Sequence, residues 1–303
     1  MLAPSGEQLV LVAGEWTTVI TEVGATLRAL RFGSRPIVLE FAETEVASGG
    51  RGQVLAPWPN RLEDGSYRFG QVLGRVPLDE PELQNAIHGL VRWVPWSIDD
   101  RSEARTLLSW TIPPQPAYPF RVRLELVYEL DEDGLKVTCL VMNTGSEVAP
   151  FGLGFHPYLL AGPGGVDRAG VELVAEQRLL LDDRNLPVGE TPVAGSAFEL
   201  NGTSLGSLEL NECYTGLAVA ADGRWHASVE SSDGRSELWA DAGFGYAMCY
   251  TGDWLEEPTD RRKAIAIEPM TCPPNALRTG TALIELPPGG HWQASWGIAA
   301  SLG

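Results

Sequence analysis

Cysteine is scarce in this chain: four residues in 303, at Cys139, Cys213, Cys249 and Cys272, far apart and without a CxxC pair. That excludes a disulfide framework and a cysteine-rich zinc module, and leaves reduced thiols in a core. Positive charge is also short. Twenty-two Lys and Arg stand against 40 Asp and Glu, for a formal net charge of −18. A basic groove for nucleic acid or a face for an anionic membrane is disfavoured by that balance. The acidity reads as solubility and names no substrate. No stretch approaches the roughly 18 uninterrupted apolar residues of a membrane span. Residues 1–12 lack a basic start and a long apolar run, and Glu7 interrupts them. A cytoplasmic protein without membrane or nucleic-acid partners is expected. With no HExxH or comparable ligand spacing, no catalytic metal is expected either.

Helix-period stretches of useful length are missing too. In their place come short runs rich in Val, Ile, Leu, Thr, Trp and Tyr, punctuated by 34 glycines and 22 prolines. Strands are expected at 8–12, 16–21, 26–32 and 36–41 in the N-terminal part. Further strands are expected at 172–174, 178–181, 217–220, 227–231, 236–240, 247–250, 264–268, 282–286 and 292–298. The clearest hairpin joins 120–130 to 135–142. Phe120, Val122, Leu124, Leu126, Tyr128 and Leu130 alternate with mostly polar neighbours, and Asp131-Glu132-Asp133-Gly134 supplies the turn. So many strands predict an all-β chain folded as a large antiparallel β-sandwich. The segment Ala161-Gly162-Pro163-Gly164-Gly165 reads as a surface loop, because strand-like sequence resumes after it. One domain spanning 1–303 is expected.

The run Ala264-Ile265-Ala266-Ile267-Glu268-Pro269-Met270 reads as a strand buried on both faces that carries one carboxylate. A charge there is expensive without a partner or a task. Pro269 disfavours the helical region for Glu268 and keeps it extended. His156, in Phe155-His156-Pro157-Tyr158, has the same arrangement. An acid and an imidazole on stiffened extended backbone are material for general acid–base catalysis. Burial is expected to raise Glu268 from its reference pKa, while His156 near its ordinary value would hold a proton at neutral pH.

Three more clusters stand out: Trp58-Pro59-Asn60-Arg61, Asn85-Ala86-Ile87-His88-Gly89, and Leu210-Asn211-Glu212-Cys213-Tyr214. Taken in this order with the first two, they resemble the aldose 1-epimerase (mutarotase) family, in a divergent bacterial form. The resemblance implies a galactose mutarotase-like supersandwich with an open cleft for a small-molecule sugar. It implies interconversion of the α and β anomers of a free aldose without metal or organic cofactor. The chain is expected to be a monomer or homodimer. Carried across residue by residue, Glu268 would be the general base and His156 the general acid. Arg61 and His88 would bind sugar oxygens, with Asn60 and Asn211 as further substrate contacts. Asn211 departs from the pattern, since the family commonly has an aspartate there. Asn accepts through its carbonyl but is neutral and also donates.

Rival readings on the same fold remain open here. A hexose-6-phosphate 1-epimerase would need extra basic groups at the cleft mouth, for which Arg51, Arg75 and Arg92 are candidates. A non-catalytic carbohydrate-binding protein would have no need of both Glu268 and His156. A glycosidase would want a second carboxylate of comparable context. Among the ten tryptophans, Trp58 and Trp93 are the candidates for stacking on a sugar ring. His226 and His291 stand in strand contexts with no evident partner.

Overall fold

The computed structural model describes residues 3–302. The expected hairpin is the Val122–Asp131 strand paired with Gly134–Asn143, and both alternate between buried and half-buried positions. Its turn is closed by the Asp131 carboxylate, whose Oδ1 accepts from the main-chain N–H of Asp133 (2.8 Å) and of Gly134 (3.2 Å). Gly134 sits at φ +127°, where a Cβ would lie 2.2 Å from the carbonyl oxygen of Ile298, so only glycine fits.

This hairpin lies inside a nine-stranded antiparallel sheet. The order across it is Ser97–Arg101, Arg105–Ile112, Val122–Asp131, Gly134–Asn143, His291–Ser301, Gly234–Asp241, Arg224–Ser231, Gly170–Leu173 and Leu200–Ser204. A second sheet runs Pro187–Pro192, Ala175–Leu181, Asn211–Leu217, Tyr246–Tyr250, Ala264–Met270, Gly154–Phe155 and Val54–Leu55, and Tyr158–Leu160 also pairs with Ala264–Met270. Strands hold 52% of the residues and helices 3%, which makes the fold all-β as the residue pattern predicts. The two large sheets meet in one hydrophobic core. There the Phe155 ring packs 5.0 Å from Trp296, which lies on the first sheet, and Phe244 approaches Phe155 edge-on. Each such aromatic contributes roughly 1.5–3 kcal/mol by leaving water. A four-stranded N-terminal sheet begins Gln8–Ala13, Trp16–Thr21, Leu27–Phe32 and is tied to the hairpin by the Trp16 indole N–H, which donates to the carbonyl of Glu132 at 3.2 Å.

Some local expectations fail. The run 36–41 pairs only through Arg35–Pro36 and a bridge from Val38 to Leu159. The strand expected at 217–220 ends at Leu217 and instead begins at Asn211, in what reads as a polar cluster. Ser97–Arg101, Pro187–Pro192 and Leu200–Ser204, which lie at sheet edges with mostly exposed residues, have no alternating apolar pattern to betray them. All four cysteines are buried and unpaired.

Candidate active site

Ala264–Met270 is buried at every position, and its neighbours Tyr246–Tyr250 and Tyr158–Leu160 pair along it. Glu268 lies opposite Met248 in that register, on an inner strand of the sheet. His156 occupies the break between Gly154–Phe155 and Tyr158–Leu160, two short strands that both pair with the strand of Glu268. Main-chain bonds fix it: His156 N–H donates to Gln53 O (3.1 Å), Gly52 N–H to His156 O (2.9 Å), and Ile267 N–H to Pro157 O (3.2 Å). Two residues distant in sequence are thereby brought together, with His156 Nε2 lying 3.3 Å from Glu268 Oε1.

The imidazole is closely packed by Tyr158 and Gly50. Tyr158 stacks on it with ring centroids 4.9 Å apart and planes 17° from parallel, while its hydroxyl donates to Gly49 O at 2.8 Å. Gly50, at φ +77°, also lies against the ring, and a Cβ there would come within 2.4 Å of the ring carbon Cδ2. Glycine at this position is therefore a requirement of the site.

Glu268 and His156 lie at a cleft of about 510 Å³ that Asn60, Arg61, His88 and Asn211 also line. All six residues singled out in the sequence thus converge. Asn60 and His88 bond each other reciprocally, both with positive φ, and the main-chain N–H of Asn60 donates to the His88 ring Nδ1 at 3.2 Å. Because Nδ1 accepts, the neutral ring carries its proton on Nε2. Burial, with Arg92 next in weight, holds His88 well below the usual histidine range, so it is a neutral N–H donor. Arg61 is bound in bidentate fashion by Glu80, at 2.7 Å for both contacts. Asn211 opens the Asn211–Leu217 strand and donates through Nδ2 to Asn185 Oδ1 at 3.2 Å. That leaves its own carbonyl oxygen as an acceptor. Glu212, the next residue, pairs with Arg178 at 2.6 Å and does not line the cleft.

Protonation corrects one expectation. Burial pushes His156 down to about 3, with Arg92 adding to the effect. The ring is neutral at pH 7 and does not hold the proton at neutral pH. Burial raises Glu268 well above the ordinary carboxylate range, as expected, and Arg61 opposes that in part. Glu268 Oε2 and His156 Nδ1 are buried and have no hydrogen-bond partner among the described residues. Unsatisfied buried polar atoms are uncommon in folded proteins, and each asks for an explanation.

Other expectations are also revised. Trp58 is buried in the core, and Trp93 is exposed beside Arg92 without lining this cleft. The tryptophan at the cleft is Trp254. Arg51 is buried against Asp260 (2.9 Å) and Ser48 and does not line the cleft, Arg75 lies on a separate hairpin, and Arg92 is bound by Asp79 at 2.8 Å. His226 has two acidic partners, Glu237 at 3.0 Å and Asp222 at 3.1 Å. Residues missed in the sequence include Glu80, Tyr158, Asn185 and Glu256. Glu80 precedes Pro81 as Glu268 precedes Pro269, and the two share that local signal.

Residues 7–299 match the family described as aldose 1-epimerase. The chain belongs to the aldose 1-epimerase family. It is 31% identical over 286 residues to the uncharacterized protein YihR of Escherichia coli (strain K12), covering 94% of this chain and 90% of that one. The fold is that of a GalM/aldose epimerase homologue from C. elegans (TM-score 0.85, 18% identity, 98% of this chain and 99% of that one). It is also that of a galactose mutarotase-like protein from Clostridium acetobutylicum (0.82, 20%, 97% and 95%). Galactose 1-epimerase from Lactobacillus acidophilus NCFM is similar as well (0.79, 19%, 95% and 92%). The galactose mutarotase-like sandwich expected of an aldose 1-epimerase is therefore the fold of this chain.

Proposed function

We propose that this member of the aldose 1-epimerase family interconverts the α and β anomers of a free aldose by acid–base ring opening and reclosure. The observation that carries this reading is the Glu268–His156 contact of 3.3 Å at the cleft. Opening a pyranose takes a proton from the C1 hydroxyl, breaks the C1–O5 bond, forms the C1 carbonyl and delivers a proton to O5. Rotation about C1–C2 presents the other carbonyl face, and closure reverses the transfers.

The pair needs one proton between its two members. That proton rests on Glu268; once it crosses the 3.3 Å contact to His156, Glu268 takes the C1 proton while His156 protonates the ring oxygen. This leaves Glu268 protonated and His156 neutral, the form that burial favours in both groups. Closure from that form returns the C1 proton from Glu268 and gives the O5 proton back to His156. Each positioned group contributes about 10²–10⁴-fold, enough for a reaction that water already performs slowly. His88, through Nε2–H, and Arg61 donate to sugar oxygens, while Asn60 and Asn211 complete the contacts.

A phosphorylated substrate is the weaker reading. Arg61 and Arg92 line the cleft already paired with Glu80 and Asp79, and Glu256 adds a further carboxylate. A purely sugar-binding role leaves the buried acid and imidazole without a purpose.

The test is polarimetric. Fresh α-D-glucose and α-D-galactose are followed with the wild-type protein and with Glu268→Gln. The expected result is accelerated relaxation of at least one sugar, lost in the variant while sugar binding persists. Equal rates for both proteins would remove Glu268 from the chemistry.

A further inference from the structure

Glu80 takes the Arg61 guanidinium side-on, its Oε2 accepting from Nε and its Oε1 from Nη2. A guanidinium carries five N–H donors, so two are spent and three remain, both on Nη1 and one on Nη2. Nη1 makes no hydrogen bond among the described residues and, unlike Arg92 Nε, is not buried. The fork therefore fixes the plane of the group and leaves its far end free, on a residue that lines the cleft.

Glu80 is itself held in place. Its main chain exchanges two hydrogen bonds with Asn85, at 3.0 and 3.1 Å. The buried Asn85 side chain donates through Nδ2 to Glu80 Oε2 (3.2 Å) and to Arg184 O (2.9 Å). Arg184 in turn donates to Leu83 O and Gln84 O, which closes the turn between Glu80 and Asn85. Asn85–Ile87 is the strand paired with Arg61–Glu63, so acid and guanidinium are tied to one small sheet. The titratable groups close to Glu268 are His156, Tyr158, Cys213, Cys249 and Arg61. Burial keeps the His156 ring neutral and raises the Tyr158 hydroxyl and both thiols, so Arg61 supplies the one cation among them. Unopposed, that cation would make the Glu268 carboxylate a weaker base. A second carboxylate on the same guanidinium offsets it.

We propose that Glu80 is a positioning residue for anomer exchange: it aims the free end of Arg61 at the sugar oxygens and offsets the Arg61 charge beside Glu268. It acts only through Arg61 and touches no reacting atom. The inference rests on the anomer-exchange reading of the same cleft.

Two variants separate charge from reach. Glu80→Gln keeps the size and removes the charge, while Glu80→Asp keeps the charge and shortens the side chain. Each is made alone and together with Arg61→Met. Polarimetry of fresh α-D-glucose and α-D-galactose gives kcat/KM against pH, and carbon-13 NMR follows the Glu268 carboxyl titration without any need for turnover. Glu80→Gln is expected to lower the Glu268 midpoint and the alkaline limb of the rate profile by about one pH unit. The plateau of kcat/KM should fall about tenfold as the guanidinium loses its alignment. Glu80→Asp is expected to lower the plateau to a similar extent and to leave both midpoints near the wild-type values. With Arg61→Met present, neither change at Glu80 should move midpoint or plateau. The proposal fails if Glu80→Gln leaves the Glu268 midpoint in place. It also fails if the effects are equally large without Arg61, since Glu80 would then act directly or through the fold. Should Glu80→Gln not fold, an undiminished plateau in Glu80→Asp overturns the proposal. A midpoint that shifts as expected, in a protein that accelerates neither sugar, supports the charge offset while refuting the anomer-exchange reading.

Discussion

Asn60 and His88 hold one another through their backbones and through the imidazole: Asn60 N–H donates to Nδ1 at 3.2 Å, and His88 N–H donates to Asn60 O at 2.9 Å. The bond at Nδ1 decides the tautomer and presents Nε2–H as a donor. His88→Phe keeps the ring volume and removes both nitrogens. We expect kcat/KM for anomer exchange to fall about 10²-fold. Stability should fall by about 1–3 kcal/mol, because the Asn60 N–H loses its acceptor. Polarimetry and urea titration check the two effects separately, and an unchanged rate would mean that Nε2 touches no reacting oxygen.

Glu268 offers a second prediction, with opposite signs for rate and stability. Its pKa is raised in the folded protein, so its favourable contribution is complete below the unfolded value and is lost as pH rises through the folded one. Glu268→Gln is permanently neutral. It should lose about 10²–10⁴-fold in rate and, relative to wild type, gain stability on the alkaline side. Denaturation midpoints measured at pH 6 and pH 9 decide this. A variant whose disadvantage or advantage is the same at both values would show that the carboxyl is not perturbed.

The acid side belongs to His156. Its pKa of about 3 lies below the ordinary histidine value, so the unfolded chain binds the extra proton first. Stability is then lost as pH falls below about 6.5, at up to about 1.4 kcal/mol per pH unit. His156→Asn should flatten that slope. In the wild type, kcat/KM should show no limb near pH 6.5, since the pair gains its second proton only near 3. An inflection at 6.5 would mean that His156 titrates as a free imidazole.

Arg61 tunes its neighbour. Its charge favours the Glu268 carboxylate, so Arg61→Met should raise the Glu268 pKa further and move the alkaline limb of the rate profile to higher pH. A merely structural Arg61 would lower activity without moving that limb.

The proposed catalytic pair was legible because each residue interrupts an apolar run immediately before a proline, and buried strands seldom carry charge without purpose. The same signal was less selective than it looked. Glu80 and Glu257 also precede prolines; one grips Arg61 and the other accepts from the main-chain N–H of Thr259. Only tertiary burial separates these roles, and local sequence does not encode it. The protonation state of His156 was missed for the same reason: the ring's reference value applies in water, and the fold removes the water. Trp254 lies in an acidic loop without periodicity, whereas Trp58 and Trp93 stand in or just after recognisable motifs. The paired positions of Asn211–Leu217 were obscured by polar residues, because one end of that strand faces the cleft instead of the core.

His156 sits between two short strands that both pair with the strand bearing Glu268. Neither group can drift from the other unless that central ladder separates. Heat inactivation should therefore track loss of the fold itself, with one midpoint by circular dichroism and by residual turnover. Amide exchange at Ile267 should be among the slowest in the chain.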